Sequence, residues 1–251
     1  MLEQIFRDYE NRLLNACSNE RIRLALRRAI TSFRNNRRRA FEKFQHTEQL
    51  RGKARQIKEY SITHYEELLK QALESLEDAN VHAIFAKTKD EVLKRVEEIV
   101  GSDKLIVKSK SITSEELDLN EHLEELGNRV VETDLGEFIV QHLGGKPMHV
   151  LSPAIHVPRE DVAKLFSKVM GKELPPEIPV LVNAAREYLR DIYMKADIGI
   201  SGANVISADT GTIFLIENEG NARFVTNAPP IHICITGFEK IVPTIMDAMV
   251  V

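Results

Sequence analysis

Residues 105–134 read LIVKSKSITSEELDLNEHLEELGNRVVETD, and the reading of this stretch decides the fold. Leu105–Ile106–Val107 is a short apolar strand candidate that ends at Lys108. Leu117 to Leu126 carries leucines at helical spacing, and Val130–Val131 starts a second strand. Outward from there the alternation continues. Upstream, Val81 to Phe85 reads as a strand and Lys89 to Val100 as a helix. Downstream, Val150–Leu151 reads as a strand and Arg159 to Val169 as a helix. Pro175, Pro176 and Pro179 break the pattern before a long helix over Leu181 to Met194. Strands separated by helices of this length predict a mixed or mostly parallel sheet covered by helices on both faces.

After Ala196 the texture changes. Ile198–Ile200, Gly211–Ile216, Arg223–Val225 and Ile231–Ile235 are strand candidates separated by Gly, Asn or Pro, close enough for antiparallel pairing in part. Ile241–Val250 closes the chain as a helix or tail. Residues 1–79 have no Pro and a single Gly, Gly52, and their apolar positions recur at helical spacing. They predict an N-terminal helical extension, with residues 80–251 forming the α/β domain.

With 43% hydrophobic and 29% charged residues in 251, the composition is that of a globular protein. No apolar run is long enough for a membrane span. The polar start, Met1 to Glu10, lacks a signal-peptide centre, so a cytoplasmic location is expected. The two cysteines, Cys17 and Cys234, cannot supply the roughly four thiolates of an iron–sulfur site. Between Arg21 and Lys58 stand 13 Lys or Arg against Glu42 and Glu48. That run reads as a solvated helical face, or one docked on the protein's own acidic surface, rather than as a nucleic-acid site.

Polar residues crowd the strand ends. Lys108 and Lys110 follow the first strand, where an amine suits a carboxylate or phosphate. Thr113 or Ser114 offers a helix cap, with Glu116 at capping-box spacing from Thr113. Glu132, Asp134 and Glu137 surround the next strand end, and crowded carboxylates can divide acid and base roles. His156 follows the Val150–Leu151 strand candidate. Asp209–Thr210–Gly211 and Glu219–Gly220–Asn221 read as tight turns, either bearing ligand-binding groups or serving as ordinary β-turns. Neither GxGxxG nor GxxxxGK[ST] occurs, so no nucleotide fingerprint supports a cofactor.

Three segments together resemble the LUD (lactate-utilization) domain family in its LutB-type branch. They are Lys108–Ser109–Lys110–Ser111 with Thr113–Ser114–Glu115–Glu116, then Glu132–Thr133–Asp134–Leu135–Gly136–Glu137–Phe138–Ile139, then Ala208–Asp209–Thr210–Gly211–Thr212 with Asn218–Glu219–Gly220–Asn221. Ile112 departs from the family's Met, and Asp209 stands where the family has Glu. The resemblance implies a NagB/RpiA/CoA-transferase-like α/β fold and a part in oxidising L-lactate to pyruvate. It also implies a ferredoxin-like region whose iron–sulfur clusters sit on a missing portion or on a partner iron–sulfur protein.

The expected site is a pocket for a small carboxylate substrate. Lys108, Lys110, Thr210, Gly211 and Asn221 would bind it, and His156, Glu132, Asp134, Asp209 and Glu219 would handle protons. No metal is expected, and a homo-oligomer is. Two other readings stay open: a protein for a phosphorylated ligand or coenzyme A derivative, and a non-catalytic assembly module using the basic helical arm.

Overall fold

The computed structural model describes residues 2–145, 147–149 and 152–251. The expected strand at Val150–Leu151 therefore lies outside the described residues. In chain order the helices and strands are α1 (Leu2–Ser18), α2 (Glu20–Lys43), α3 (Thr47–Thr63), α4 (Tyr65–Asp78), α5 (Lys89–Val100), β1 (Leu105–Lys108), α6 (Ile112–Glu116), α7 (Leu119–Glu125), β2 (Arg129–Glu132) and α8 (Leu135–Leu143). They continue as α9 (Arg159–Met170), α10 (Ile178–Lys195), β3 (Ile198–Ser201), β4 (Val205–Ser207), β5 (Ile213–Phe214), α11 (Asn221–Asn227), β6 (Ile231–Cys234), β7 (Ile241–Val242) and α12 (Ile245–Val250).

Two compact units result. One comprises residues 1–45 and 135–187, and the other residues 46–134 and 188–251. In the first unit Phe138 of α8 and Phe166 of α9 meet edge to face at 5.6 Å, both fully buried. The second unit contains both sheets. Its main sheet is parallel, in the order β2-β1-β3-β6, and a smaller sheet has the order β5-β4-β7. Mixed α/β architecture with a helical N-terminal segment is thus present as expected.

Strand alternation assigns the two faces of the main sheet. Ile106, Val130, Ile198 and Ile200 point to one face and pack with Val96 and Val100 of α5 and Leu119 and Leu123 of α7. Gly199 points to the other, where α11 lies close: a Cβ at Gly199 would stand 1.9 Å from the carbonyl oxygen of Val225. In the smaller sheet, Ile206 and Ile241 pack under Leu68 and Ala72 of α4.

Several local expectations are corrected. Val81–Phe85 is not a strand. Val81, Ile84 and Phe85 are exposed, so this short apolar run has no sheet to join. Arg223–Val225 lies in helix α11, whose Ala222 and Val225 are buried three residues apart, a helical and not a strand period. Strand content in Gly211–Ile216 shrinks to Ile213–Phe214, and β4 and β7 add strands that the apolar pattern alone does not single out. Antiparallel pairing is confined, among the described strands, to β4 with β5, while β6 runs parallel to β3. The helix cap falls on Ser111, whose hydroxyl accepts from the Ser114 amide, so Thr113 and Glu116 lie inside α6.

Candidate functional site

The order of the parallel strands reverses at β1: β2 lies on one side of it and β3 on the other. In open parallel sheets, ligands bind at the carboxyl ends of the strands where the order reverses. Here those ends are Lys108–Ser109–Lys110–Ser111 after β1, Thr133–Asp134 after β2 and Ser201–Gly202 after β3. The Ser109 amide donates to the Ile200 carbonyl at 2.9 Å, which ties the β1 exit to β3.

Parallel register sets Lys108 beside Glu132. The Lys108 ammonium lies 2.8 Å from Glu132 Oε1, with the lysine side chain 1% exposed. It also donates to Ser114 Oγ at 3.2 Å, and Asn120 Nδ2 donates to the same Glu132 oxygen at 2.7 Å. Helices α6 and α7 therefore close over the pair. Beside it, desolvation and then repulsion from Glu132 and Glu121 push the Glu124 carboxyl up from its ordinary pKa.

On the opposite face, Thr133 links the strand ends. Its hydroxyl donates to the Lys108 carbonyl at 2.9 Å and accepts from Asn221 Nδ2 at 3.4 Å. It also hydrogen-bonds Tyr193, a buried residue of α10 whose ring stacks on Phe224 with centroids 5.2 Å apart. Burial, aided by Glu219, Glu217 and Asp134, pushes the Tyr193 phenol up to about 12, against the opposing hydrogen bond with Thr133. The group is therefore a neutral O–H donor at physiological pH. Glu217 is itself held by Arg223, at 2.9 Å from the guanidinium.

Of the residues singled out in the sequence, Lys108, Glu132, Asp134, Asn221 and Glu219 gather around this network. Asp134 is half-buried and Glu219 exposed. Lys110 is half-buried, two residues beyond the end of β1. Asp209, Thr210 and Gly211 stand elsewhere in this unit, in the turn joining β4 to β5. That turn is braced by hydroxyl hydrogen bonds linking Thr210 with Ser207 and with Thr212, and by Ser75 of α4 donating to the Ala208 carbonyl at 2.8 Å. His156 belongs to the first unit, in a turn before α9, where its Nδ1 is enclosed without a hydrogen-bond partner among the described residues.

Tyr193, Asn120 and Ser114 were not singled out as site residues. Each reads as an ordinary helix position, and only the packing of its helix brings it to the strand ends. A second polar contact was equally hidden: Ser201 Oγ lies 2.7 Å from His232 Nε2, across β3 and β6. Partial burial holds the His232 imidazole below its ordinary pKa.

The LUD domain family matches residues 69–251, which include both sheets and every strand end just described. The chain belongs to the LUD domain family. Curated relatives include "Lactate utilization protein B" of Bacillus pumilus, 36% identical over 83% of this chain and 45% of its own length. The protein of the same name from Shouchella clausii is 40% identical over 78% of this chain and 42% of its own. The "Uncharacterized electron transport protein YkgF" of Escherichia coli is 32% identical over 96% of this chain and 51% of its own. This LUD chain thus spans about half the length of the curated relatives it matches. No solved structure matches it. Among its described helices, none is long and apolar enough to cross a membrane.

Proposed function

We propose that this LUD domain contributes to lactate utilization by binding a small 2-hydroxy or 2-keto carboxylate at the carboxyl ends of β1, β2 and β3. The observation that carries this reading is the buried Lys108–Glu132 pair where the strand order reverses. Sealing two opposite charges costs desolvation that their attraction barely repays. A buried ion pair at such a strand end is more readily explained by chemistry than by stability. Support for lactate comes from the names of the relatives.

In this reading Lys110 faces the substrate carboxylate, and the Tyr193 phenol and Asn221 amide donate to its oxygens. Lys108 and Glu132 pair behind them, under α6 and α7. Asp134, half-buried just past the end of β2, takes the proton of the C2 hydroxyl as the alcohol becomes a ketone. The C2–H bond breaks as well, releasing a second proton to solvent and two electrons; no side chain here accepts the electrons, so an iron–sulfur partner or a further region receives them. The residues of this chain do not fit such a cluster. Cys17 and Cys234 are its only cysteines, and the Cys234 thiol is engaged with the Gly202 carbonyl at 3.4 Å.

Calorimetric titration with L-lactate, pyruvate and coenzyme A tests the proposal. Saturable binding of either acid, weakened at least about tenfold by Lys110→Ala, is the expected result. Coenzyme A binding with rejection of both acids would overturn it in favour of a phosphorylated ligand. Silence with all three would leave this domain without a substrate site of its own.

A further inference from the structure

Positive and negative groups at the strand ends are not evenly matched. Lys108 is paired with Glu132 at 2.8 Å, and Arg223 is held by Glu217 at 2.9 Å. Lys110 is the cation that the carboxylate-binding reading assigns to a ligand. Carboxylates are more numerous. Asp134 directly follows Thr133, whose hydroxyl accepts from Asn221 Nδ2 at 3.4 Å, and Glu219 precedes Asn221 by two residues. The two acids therefore stand close to that contact, one on each of the chain segments it joins. Burial is the main cause of the raised Tyr193 pKa, and Glu219, Glu217 and Asp134 all act on the same phenol. Three carboxylates thus lie near one hydrogen-bond donor of the proposed site.

We propose that Glu219 is a specificity residue, restricting the site to ligands that carry a single negative charge. The inference rests on the carboxylate-binding reading above. One ligand carboxylate is answered by Lys110. A second meets Asp134 and Glu219, with Lys108 and Arg223 already engaged by acids of their own. Like charges about 8 Å apart at an effective dielectric of about 20 cost roughly thirtyfold in affinity, and solvent at the exposed Glu219 reduces that several-fold. Repulsion of this kind separates two ligands that share every favourable contact. The site therefore takes 2-hydroxy or 2-keto monocarboxylates and refuses their dicarboxylate and phosphorylated counterparts.

Calorimetric titration of the full chain with L-lactate, L-malate and malamate, the amide of malate's distal carboxyl, tests the assignment. Malamate keeps malate's shape and drops its second charge. Lactate and malamate are expected to bind, and malate at least about tenfold more weakly than malamate. Glu219→Gln should narrow that gap at least about threefold, as should raising the salt to about 1 M, because the exclusion is coulombic. Glu219→Ala decides the matter if circular dichroism shows that the glutamine variant fails to fold. Equal binding of malate and malamate overturns the assignment, as does a gap that a folded variant leaves unchanged. Refusal of both beside bound lactate overturns it too, since size then excludes them. No binding of any acid overturns the carboxylate-site reading itself, and the assignment falls with it.

Discussion

Lys108 and Glu132 are register partners on adjacent parallel strands, their charged atoms 2.8 Å apart and both side chains nearly sealed from water. Neither residue chooses its partner locally. Parallel pairing of β1 with β2 brings them together 24 positions apart in the chain, and α6 and α7 then exclude solvent.

Removing one charge of this pair leaves the other buried alone. Lys108→Met is expected to cost about 3–5 kcal/mol in urea denaturation. Adding Glu132→Gln, which keeps an acceptor for Asn120, should restore most of that loss. If the double variant is stable but binds neither lactate nor pyruvate, the pair serves the site more than the fold.

Two glycines are required by close approach. A Cβ at Gly199 would meet the Val225 carbonyl oxygen at 1.9 Å. One at Gly211, where φ is +63°, would meet the backbone of Ser75 and Leu76 at 2.8 Å. Gly199→Ala and Gly211→Ala should each destabilise by about 1–3 kcal/mol or more. The Gly211 change is also expected to leave ligand affinity unaltered in the protein that remains folded, since its neighbours belong to α4. A calorimetric titration beside a thermal melt separates the two effects.

The Tyr193 phenol has its folded pKa raised to about 12 from an ordinary 10. Between those values the unfolded chain ionises at this position while the fold keeps the proton. Its contribution is therefore complete below about pH 10 and is lost as pH rises toward about 12. Urea midpoints of wild type should fall more steeply over that window than those of Tyr193→Phe. Parallel slopes would show that the phenol is not shielded as described.

Burial pushes the Cys234 thiol up to about 11, so little thiolate forms near neutrality. Alkylation of Cys234 at pH 8 should run about two orders of magnitude slower in the fold than in urea. Cys17 is exposed and should be modified first, which peptide mass mapping would reveal.

The helices over Lys89–Val100 and Arg159–Met170 were legible almost to the residue because each carries its apolar positions at a regular helical period. Short runs were harder. Val81–Phe85 and Arg223–Val225 have strand-like composition, yet one lacks a neighbouring strand and the other coils against Gly199. Polar groups at strand ends were visible as candidates, but their grouping was not. The Asp209 turn and the Glu219 turn lie ten residues apart and are bound into different surroundings: the first leans on α4, while the second lies near Tyr193.

By itself the sequence determined the alternation of helices and strands, the helical N-terminal segment and the motifs that resemble the LUD family. These are local properties, recorded in periodicity and in short strings of residues. Tertiary structure alone decided that Glu132 pairs with Lys108, that Tyr193 joins Thr133, and that β3 returns to the open side of β1, matching Ile106 with Ile198. Strand order and register arise from contacts between segments many tens of residues apart. Their energy depends on the burial of a whole sheet face, which no single stretch of sequence contains.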